Sequence, residues 1–410
     1  MKVCFETFGC RLNRAEALEE EAKYIARGWE VTDSHADAHL IVVRGCSVTA
    51  RAQHDCEKTI EHLKQKYPHT RILVTGCLPS ADKTYKVRDI SEPGGRGGPE
   101  SSGGRGGPPA TRTARAYLKV QDGCNGQCTF CIVPQFRGKS TSVPFQELLD
   151  KAKRFLDVGY HEIVLTGCNL TQYLSEGKRL PELLAAIADI GAGNATADDR
   201  RPTCRVRLGS VEPGPVALNI VNVMAEHANI CRFLHIPVQS GSNLILKAMK
   251  RPYTVQDVEA LADAALAKMP MLGLGCDLIA GFPGETQNDH MATLGLLKRL
   301  PFNNAHVFPF SSRPGTAAAL LSGELARDLR HARAREIAYA LQERRVRFAQ
   351  RFMGKDVEIV LESEKDATGW TSEYLACEIV NKNRLTAKRK DLVRVHVTEV
   401  RDDRLKATFV

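Results

Sequence analysis

Short apolar runs and helical patterns alternate at the start of the chain. The apolar runs are KVCFETFGC, AHLIVVRGC and RILVTGC, at residues 2–10, 38–46 and 71–77. Between them, NRAEALEEEAKYIARG and TARAQHDCEKTIEHLKQKY repeat apolar residues at helical spacing. Strands that alternate with helices are joined by right-handed crossovers and lie parallel in one sheet. The pattern predicts an α/β domain over residues 1–90.

The same alternation returns between residues 114 and 345. About six strand-like runs, among them RAYLKVQDGC, HEIVLTGCN and MLGLGCDLIAGFPGE, are followed by helical patterns, which predicts a full or partial (βα) barrel. An arginine-rich helical stretch covers residues 325–352. Residues 346–410 change to short β runs at near-regular spacing, typical of a small β-barrel. The fold class is therefore α/β with a carboxyl-terminal β-barrel.

Residues 91–113 separate the first two domains with the sequence SEPGGRGGPESSGGRGGPPATRT. The segment consists mainly of glycine, proline, serine and arginine, which offer no apolar side chains for a hydrophobic core. This composition predicts a flexible linker. An RNA contact by this RGG-like stretch is the alternative.

Composition and charge narrow the class of protein. The 410 residues exceed the size at which one hydrophobic core keeps growing, which indicates several domains. No apolar run approaches the roughly 18 residues that cross a bilayer, and no signal peptide is evident, so a cytoplasmic protein without a membrane partner is expected. The 13 cysteines, an odd number, argue against a disulfide framework. A net charge of +9 favours a polyanionic partner if the charge is clustered.

Each of the three amino-terminal strands ends in Gly-Cys, which places Cys10, Cys46 and Cys77 at one edge of the predicted sheet. Ligands of open α/β sheets bind beyond the carboxyl ends of the strands, and glycine there lets the backbone approach a bound group. A metal or cluster site is the favoured interpretation, and three inert turn cysteines are the alternative. Cys4 and Cys56 fall within a strand and a helix, where a buried apolar role is expected.

A second trio, Cys124, Cys128 and Cys131, lies in GCNGQCTFCIVPQFRG, just after the first predicted barrel strand. Structural zinc needs four ligands. An iron–sulfur cubane held by only three thiolates keeps one iron open to a substrate or cofactor. The spacing therefore predicts an open cluster, with a zinc site completed by a distant histidine as the alternative.

This motif, with the aromatic Phe130 before its last cysteine, resembles that of the radical S-adenosylmethionine superfamily. The resemblance implies that the open iron binds and reduces S-adenosylmethionine, releasing a 5′-deoxyadenosyl radical, and that Phe130 packs on the adenine. With both trios present, the chain resembles the methylthiotransferase family of that superfamily along essentially its whole length. The other matching stretches are TFGCRLNRAE, GCSVTARA, VTGC, EIVLTG, LGSVEP, HIPVQSGSNLILKAMKRPYT, DLIAGFPGET and FPFSSRPGT.

The family resemblance implies two [4Fe-4S] clusters. The second trio would hold the catalytic cluster. The first trio would hold an auxiliary cluster, also with an open iron, on which the transferred sulfur is carried and methylated. Two molecules of S-adenosylmethionine would be used, one as methyl donor and one as radical source. An electron donor such as flavodoxin or ferredoxin is implied, and a monomer is expected.

The family modifies either a tRNA adenosine 3′ of the anticodon, carrying an isopentenyl or a threonylcarbamoyl group, or an aspartate of a ribosomal protein. GCSVTARA, with Thr49 where the isopentenyl enzymes tend to carry arginine, and HIPVQSG resemble the threonylcarbamoyladenosine (MtaB-type) subfamily. The carboxyl-terminal barrel resembles the TRAM domain, which grips the macromolecular partner. Its basic residues favour tRNA through phosphate contacts, with a solvated loop as the alternative. They are Lys382, Arg384, Lys388, Arg389, Lys390 and Arg394.

Further positions follow from the resemblance. Arg207, Ser210 and Glu212 in RVRLGSVEP lie near a strand end where the superfamily contacts S-adenosylmethionine, with a strand-end salt bridge as the alternative. Gln239 and Ser240 offer hydrogen-bonding side chains at another strand end, with a helix cap as the alternative.

Four features complete the candidate site. Arg313 in SSRPGT would meet a carboxylate, including that of a threonyl group, or form a surface ion pair. The GFPG turn at residues 281–284 would close the pocket or be an ordinary tight turn. His235 is expected to orient neighbouring backbone, because radical chemistry requires no acid or base. Cys168 departs from the family pattern and is expected in the pocket wall.

A non-catalytic RNA-binding metalloprotein is the alternative of a different functional class. The duplicated three-cysteine arrangement argues against it, because structural metal sites are closed.

Overall fold

The computed structural model describes residues 1–78, 113–193, 204–381 and 386–410. The chain divides into two compact units, Met1–Thr111 and Arg112–Val410. Nearly all of the predicted linker, with its RGG-like stretch, lies outside the described residues, as do Lys382 and Arg384 of the basic segment. Among the helices of the described ranges, none has the length and apolar character needed to span a bilayer.

The first unit is built on one parallel sheet. Its elements are β1 (Lys2–Thr7), α1 (Arg11–Ala26), β2 (Glu30–Val31), β3 (Leu40–Gly45), α2 (Ala50–Lys66) and β4 (Arg71–Gly76). The strand order is β2-β1-β3-β4, with every pair parallel. Alternate strand residues such as Ile41 and Val43 are buried in one core with Cys56 and Ile60 of α2. The predicted parallel α/β sheet is confirmed, and β2 adds a two-residue edge strand too short for an apolar pattern to show.

The second unit contains all remaining elements. In chain order they are β5 (Ala116–Lys119), β6 (Gln121–Asp122), α3 (Val133–Arg137), β7 (Thr141–Ser142), α4 (Phe145–Asp157), β8 (Glu162–Thr166), β9 (Leu174–Ser175), β10 (Lys178–Arg179), α5 (Leu180–Ala192), β11 (Arg205–Leu208), α6 (Pro215–Glu226), β12 (Phe233–Gln239), α7 (Asn243–Ala248), α8 (Val255–Lys268), β13 (Gly273–Ala280), α9 (Gln287–Arg299), β14 (Asn304–Pro309), α10 (Arg327–Gln350), β15 (Asp356–Ser363), β16 (Thr368–Thr371), β17 (Ala376–Ile379), β18 (Leu392–Arg401) and β19 (Arg404–Phe409).

Six parallel strands form the wall of the central domain. One ladder has the order β11-β8-β5 and a second has the order β12-β13-β14. Parallel bridges between Val206 and Ile230 and between Ser210 and His235 join the two ladders. Within the described residues, β5 and β14 are the free edges of this wall. The predicted (βα) barrel is therefore present as a partial barrel.

Helices cover the outer face of this wall and bury one side of each strand. Leu184 and Ile187 of α5 and Val258 of α8 are fully buried in the same cluster as Leu234 and Ile236 of β12. Because successive strand residues point to opposite faces, the residues between these apolar positions face the lumen of the partial barrel. Many of them are charged or aromatic.

The carboxyl-terminal strands close into a small barrel with the order β15-β16-β17-β19-β18. Strand β18 pairs antiparallel with β15 and so completes the circle. The end of α10 supplies Phe348 and Ala349 to the barrel core, which also contains Ile359 and Val395. The predicted carboxyl-terminal β-barrel is confirmed.

A buried ion cluster joins the partial barrel to the carboxyl-terminal barrel. Glu162, the first residue of β8, is fully buried and lies 2.6 Å from Arg205 Nε and 2.7 Å from Arg207 Nε. Although burial raises the pKa of Glu162, Arg207 and Arg205 hold it well below its ordinary value. The two arginines also donate to main-chain carbonyls of the carboxyl-terminal barrel, those of Glu358, Trp370, Thr371 and Ser372.

Replacing Glu162 with glutamine removes the negative charge among three buried cations, because Arg115 also lies 3.9 Å from this carboxylate. We expect Glu162→Gln to lower the free energy of unfolding by about 3–5 kcal/mol, because an uncompensated buried charge is left behind. Urea denaturation measures this change. Glu343→Gln is the control, since Glu343 pairs with Arg347 on an exposed face of α10, and it should leave the midpoint unchanged. Equal stability of the two variants would contradict this role of Glu162.

Candidate active site

The loops that follow β1, β3 and β4 bring Cys10, Cys46 and Cys77 together. Cys10 is exposed at the start of α1, whereas Cys46 and Cys77 are buried. Gly9 has a φ of +89°, and a Cβ there would lie 2.7 Å from the Cys46 Sγ. The Cys77 amide donates to the Gly45 carbonyl at 3.1 Å. The fold therefore gathers the first trio at one sheet edge, as the Gly-Cys pattern predicted.

Burial and the neighbouring thiols both affect the protonation of Cys46. Burial, with the neighbouring thiols of Cys10 and Cys77 adding to it, raises the pKa of Cys46 to about 11. Thiolates that raise each other's pKa are stabilised by a cation among them. Three such thiols are the donors that iron–sulfur clusters use, so this trio fits a cluster.

Asn13 positions two of these loops and was not singled out from the sequence. Its Nδ2 donates to the Phe8 carbonyl at 2.9 Å and to the Gly45 carbonyl at 2.8 Å. The side chain is only 1% exposed. The one signal in the sequence is a polar residue between Leu12 and Ala15, which lie on the buried face of α1.

The second trio lies on the loop between β6 and α3. The Cys131 amide donates to the Cys128 carbonyl at 3.1 Å, and the Gly126 amide donates to the Cys124 Sγ at 3.3 Å. A Cβ on Gly126 would lie 3.2 Å from the Cys124 Sγ and 3.7 Å from the Cys128 Sγ. Burial, together with Cys128 and Cys124, raises the pKa of Cys131 to about 11. Glycine therefore keeps room between converging thiols, which again fits a cluster.

Arg251 connects this loop to Glu212 and was not predicted as a site residue. Its Nη1 lies 2.9 Å from the Cys128 Sγ, and its Nη2 pairs with Glu212. Burial raises the pKa of Cys128, and the Arg251 charge opposes that rise. Asn169 Nδ2 donates to the other Glu212 oxygen at 2.9 Å. Glu212, a predicted contact of S-adenosylmethionine, therefore lies beside the cysteine loop.

An apolar cluster lies on the other side of the loop. Phe130 packs against a cluster that contains Phe282 and Phe310. Gly281 and Gly284, with φ of +75° and +81°, form the turn that carries the fully buried Phe282. The GFPG turn therefore contributes to the wall against which Phe130 rests.

The loop after β14 is tied to the cysteine loop. Gln135 Nε2 donates to the Gly315 carbonyl at 2.7 Å, and the Ala318 amide donates to the Thr129 carbonyl at 2.8 Å. Arg313 in this loop is 5% exposed, so the alternative of a surface ion pair was wrong. Burial next to the cysteine loop keeps Arg313 among the candidates for substrate binding.

The structure corrects the expectation for Arg207. Its Nε, Nη1 and Nη2 already donate to Glu162 and to carbonyls of the carboxyl-terminal barrel, and the residue is fully buried. No guanidinium nitrogen is left for S-adenosylmethionine. Ser210 is exposed, and its backbone bridges to His235.

Gln239 and Ser240 lie at the end of β12, where the ladder has an irregular register. Gln239 is nearly buried and has a left-handed φ of +66°, a conformation that costs energy in a residue other than glycine. Ser240 Oγ accepts the Ser242 amide at 3.2 Å. Gln239 stays a predicted cofactor contact, while Ser240 supports the turn.

Two other predicted residues have defined contacts. His235 bonds to the Asp277 carboxylate instead of orienting backbone. The Cys168 Sγ lies 3.6 Å from Asp122 Oδ1, and burial raises its pKa above the ordinary value.

In the basic segment, Lys388 and Arg389 are exposed, whereas Lys390 Nζ lies 4.3 Å from the ring centre of Tyr160. Lys390 is partly buried by this contact, and its phosphate contact stays a prediction. Arg394 pairs with Asp356 at 2.9 Å.

Two family models match the chain: the radical SAM superfamily over residues 118–297 and uncharacterized protein family UPF0004 over residues 2–92. A tRNA-2-methylthio-N(6)-dimethylallyladenosine synthase of Chlorobium chlorochromatii (strain CaD3) is 31% identical over 396 residues, covering 87% of this chain and 86% of the relative. The chain belongs to the radical SAM methylthiotransferase family. It is a transferase whose cofactors are two [4Fe-4S] clusters and S-adenosylmethionine.

Further comparisons agree with this family. The threonylcarbamoyladenosine tRNA methylthiotransferase MtaB of Aquifex aeolicus (strain VF5) is 29% identical over 393 residues, covering 89% of this methylthiotransferase and 93% of the relative. Among solved structures, the radical S-adenosylmethionine methyltransferase TsrM of Kitasatospora setae has a TM-score of 0.51 at 14% identity, covering 76% of this chain and 74% of that one. The structural likeness concerns the fold alone.

Arg251 gives a direct test of the electrostatics at the second trio. Its positive charge stabilises the Cys128 thiolate, so Arg251→Gln is expected to raise the pKa of Cys128 and move its alkylation to higher pH. Iodoacetamide labelling of cluster-free protein, followed by mass spectrometry of the Cys128 peptide, measures this profile. Arg299→Gln removes a surface ion pair with Glu259 and serves as the control. Identical profiles in the two variants would refute the contact.

Proposed function

We propose that this methylthiotransferase acts on tRNA and converts N6-threonylcarbamoyladenosine 3′ of the anticodon, at position 37, to its 2-methylthio derivative. The observation that carries the proposal is the presence of two separate sites with three converging thiols each. One lies in the stretch matched by UPF0004 and the other in the stretch matched by the radical SAM superfamily. The presence of two such three-thiol sites supports a sulfur-inserting enzyme over a protein in which a metal only stabilises the fold.

Cys124, Cys128 and Cys131 would hold a cluster that supplies an electron to S-adenosylmethionine, and Cys10, Cys46 and Cys77 would hold the one that carries the transferred sulfur. The chain's own residues prepare these places. Arg251 favours the thiolate form of Cys128 and fixes Glu212, while Gly126 keeps the space between two thiols open. Phe130, backed by Phe282, offers an aromatic face for the adenine.

A tRNA substrate is supported by charge and by the relatives. The net charge of +9 and the exposed Lys388 and Arg389 suit a phosphate backbone. Relatives over most of the chain are named for tRNA, both for threonylcarbamoyladenosine and for dimethylallyladenosine. Thr49 and the HIPVQSG stretch favour the threonylcarbamoyl substrate. An isopentenyl-type substrate is the second candidate, favoured by the 31% identical relative.

The threonylcarbamoyl group carries a carboxylate, for which Arg313 is the proposed partner. The residue lies in the loop that docks on the cysteine loop, and its guanidinium is largely withdrawn from water. Flavodoxin or ferredoxin as electron donor, a monomer and a cytoplasmic location stay predictions of the same proposal.

Product analysis tests the substrate. The anaerobically reconstituted enzyme is incubated with S-adenosylmethionine, a reductant and anticodon stem-loops that carry either modified adenosine, and the nucleosides are measured by mass spectrometry. We expect 2-methylthio product from the threonylcarbamoyl stem-loop. Product from the isopentenyl stem-loop alone would support the second candidate. No product from either, with both clusters loaded, would contradict a tRNA substrate.

Arg313→Gln sharpens the same experiment. Loss of a charge-assisted hydrogen bond costs about 1.5–3 kcal/mol, so kcat/KM on the threonylcarbamoyl stem-loop should fall by about 10- to 150-fold. Arg347→Gln, on the exposed face of α10, is the matched control. Unchanged iron content in both variants shows that the fold is intact. An unchanged kcat/KM would exclude Arg313 as the carboxylate partner.

A further inference from the structure

Three ionisable side chains meet inside the partial barrel, away from both cysteine trios in the sequence. They are His235 on β12, Asp277 on β13 and His306 on β14. Their strand neighbours, among them Leu234 and Cys276, belong to the outer apolar core. Because strand residues alternate between faces, His235, Asp277 and His306 point into the lumen.

Strand register places the three side chains in one layer. Asp277 and His306 are direct partners across the ladder between β13 and β14. His235 is opposite Gly275, two residues before Asp277. A Cβ on Gly275 would lie 2.6 Å from His235 Nδ1, so the glycine gives the imidazole its place. The group is therefore held by three adjacent strands and not by a loop.

The distances match a coordination site. His235 Nε2 and His306 Nδ1 each lie 3.0 Å from Asp277 Oδ1, and the three ligand atoms lie within 4.8 Å of one another. Two ligands about 2.1 Å from an ion are about 3.0 Å apart at a right angle and about 3.4 Å apart at the tetrahedral angle of zinc, so small side-chain shifts would bring these atoms into either geometry. The same spacing also suits hydrogen bonds from both imidazoles to one carboxylate, and the metal content of the protein distinguishes the two arrangements.

Charge and access also suit a cation. The Asp277 carboxylate lies between the two imidazoles, with one oxygen 3.0 Å from each of them. The His306 side chain is 56% exposed and the Asp277 side chain 22% exposed, which leaves a path for an ion. Phe308, two residues after His306 on the same strand face, is also exposed.

We propose that His235, Asp277 and His306 form a binding site for a divalent transition-metal ion inside the barrel. Two imidazoles and one carboxylate are the donors that Zn²⁺ and its neighbours accept, and a three-ligand set leaves coordination positions open toward the lumen. Water or an oxygen ligand of a bound molecule would fill them. This site differs in its chemistry from the thiol sites and does not depend on the proposed tRNA substrate.

Metal content of the cluster-loaded enzyme tests the site. Untagged protein with both clusters reconstituted is dialysed anaerobically against micromolar Zn²⁺ or Mn²⁺, and metals are counted by mass spectrometry. Loading the clusters first prevents the cysteines from taking up zinc, and a constant iron content confirms that they stay loaded. We expect one added ion per chain and a higher melting temperature with the ion than without it.

Two variants show where the ion binds. Asp277→Asn, which keeps the side-chain shape, and His306→Ala, at a half-exposed position, should both lose the added ion and the melting shift. His396→Ala is the matched control, because His396 forms a similar pair with Asp356 at 2.8 Å in the carboxyl-terminal barrel, and it should keep both. The proposal would be overturned if the native enzyme bound neither ion. It would also be overturned if Asp277→Asn and His306→Ala kept the added ion. In both cases the three residues would be a hydrogen-bonded triad.

Discussion

Thiolates repel one another and resist burial, yet the loops of this fold force three of them together at each of two places. The effect is visible in the pKa of Cys46 and of Cys131, each raised to about 11. Such sites take up a cation readily, because the bound metal replaces protons and relieves the repulsion. Gly9, Gly126 and Asn13 are explained by this constraint, since they provide the close approach and the loop anchoring that crowded sulfurs require.

The two ends of the partial barrel carry different groups of residues. At the carboxyl ends of the strands lie the cysteine loop, Glu212 and Arg251, which is where (βα) barrels carry their chemistry. At the amino ends, Glu162 and its arginines fasten the carboxyl-terminal barrel through main-chain carbonyls. The residues that join the two barrels and the residues beside the cysteine loop thus lie at opposite ends of the strands. His235, Asp277 and His306 lie between these two groups.

Local patterns predicted the sheets, the partial barrel and both trios, because strand burial, helical periodicity and the ends of parallel strands are properties of short segments. These local patterns do not predict which residues of distant segments become neighbours. The alternation of apolar and polar residues in β11 shows that Arg207 faces the lumen. Its position along the barrel axis depends on the pairing of β11 with β8, which places it next to Glu162. Arg251 is 123 residues from Cys128, and no spacing rule connects them. The triad of His235, Asp277 and His306 depends likewise on three strands in register.

The central claim is that each trio holds its own cluster, and iron counting tests it most directly. Iron and acid-labile sulfide per chain are measured after anaerobic reconstitution of the native protein and of two triple alanine variants, one at Cys10, Cys46 and Cys77 and one at Cys124, Cys128 and Cys131. We predict about eight irons in the native protein and about four in each variant. Four or fewer irons in the native protein, or zinc in their place, would contradict the two-cluster account.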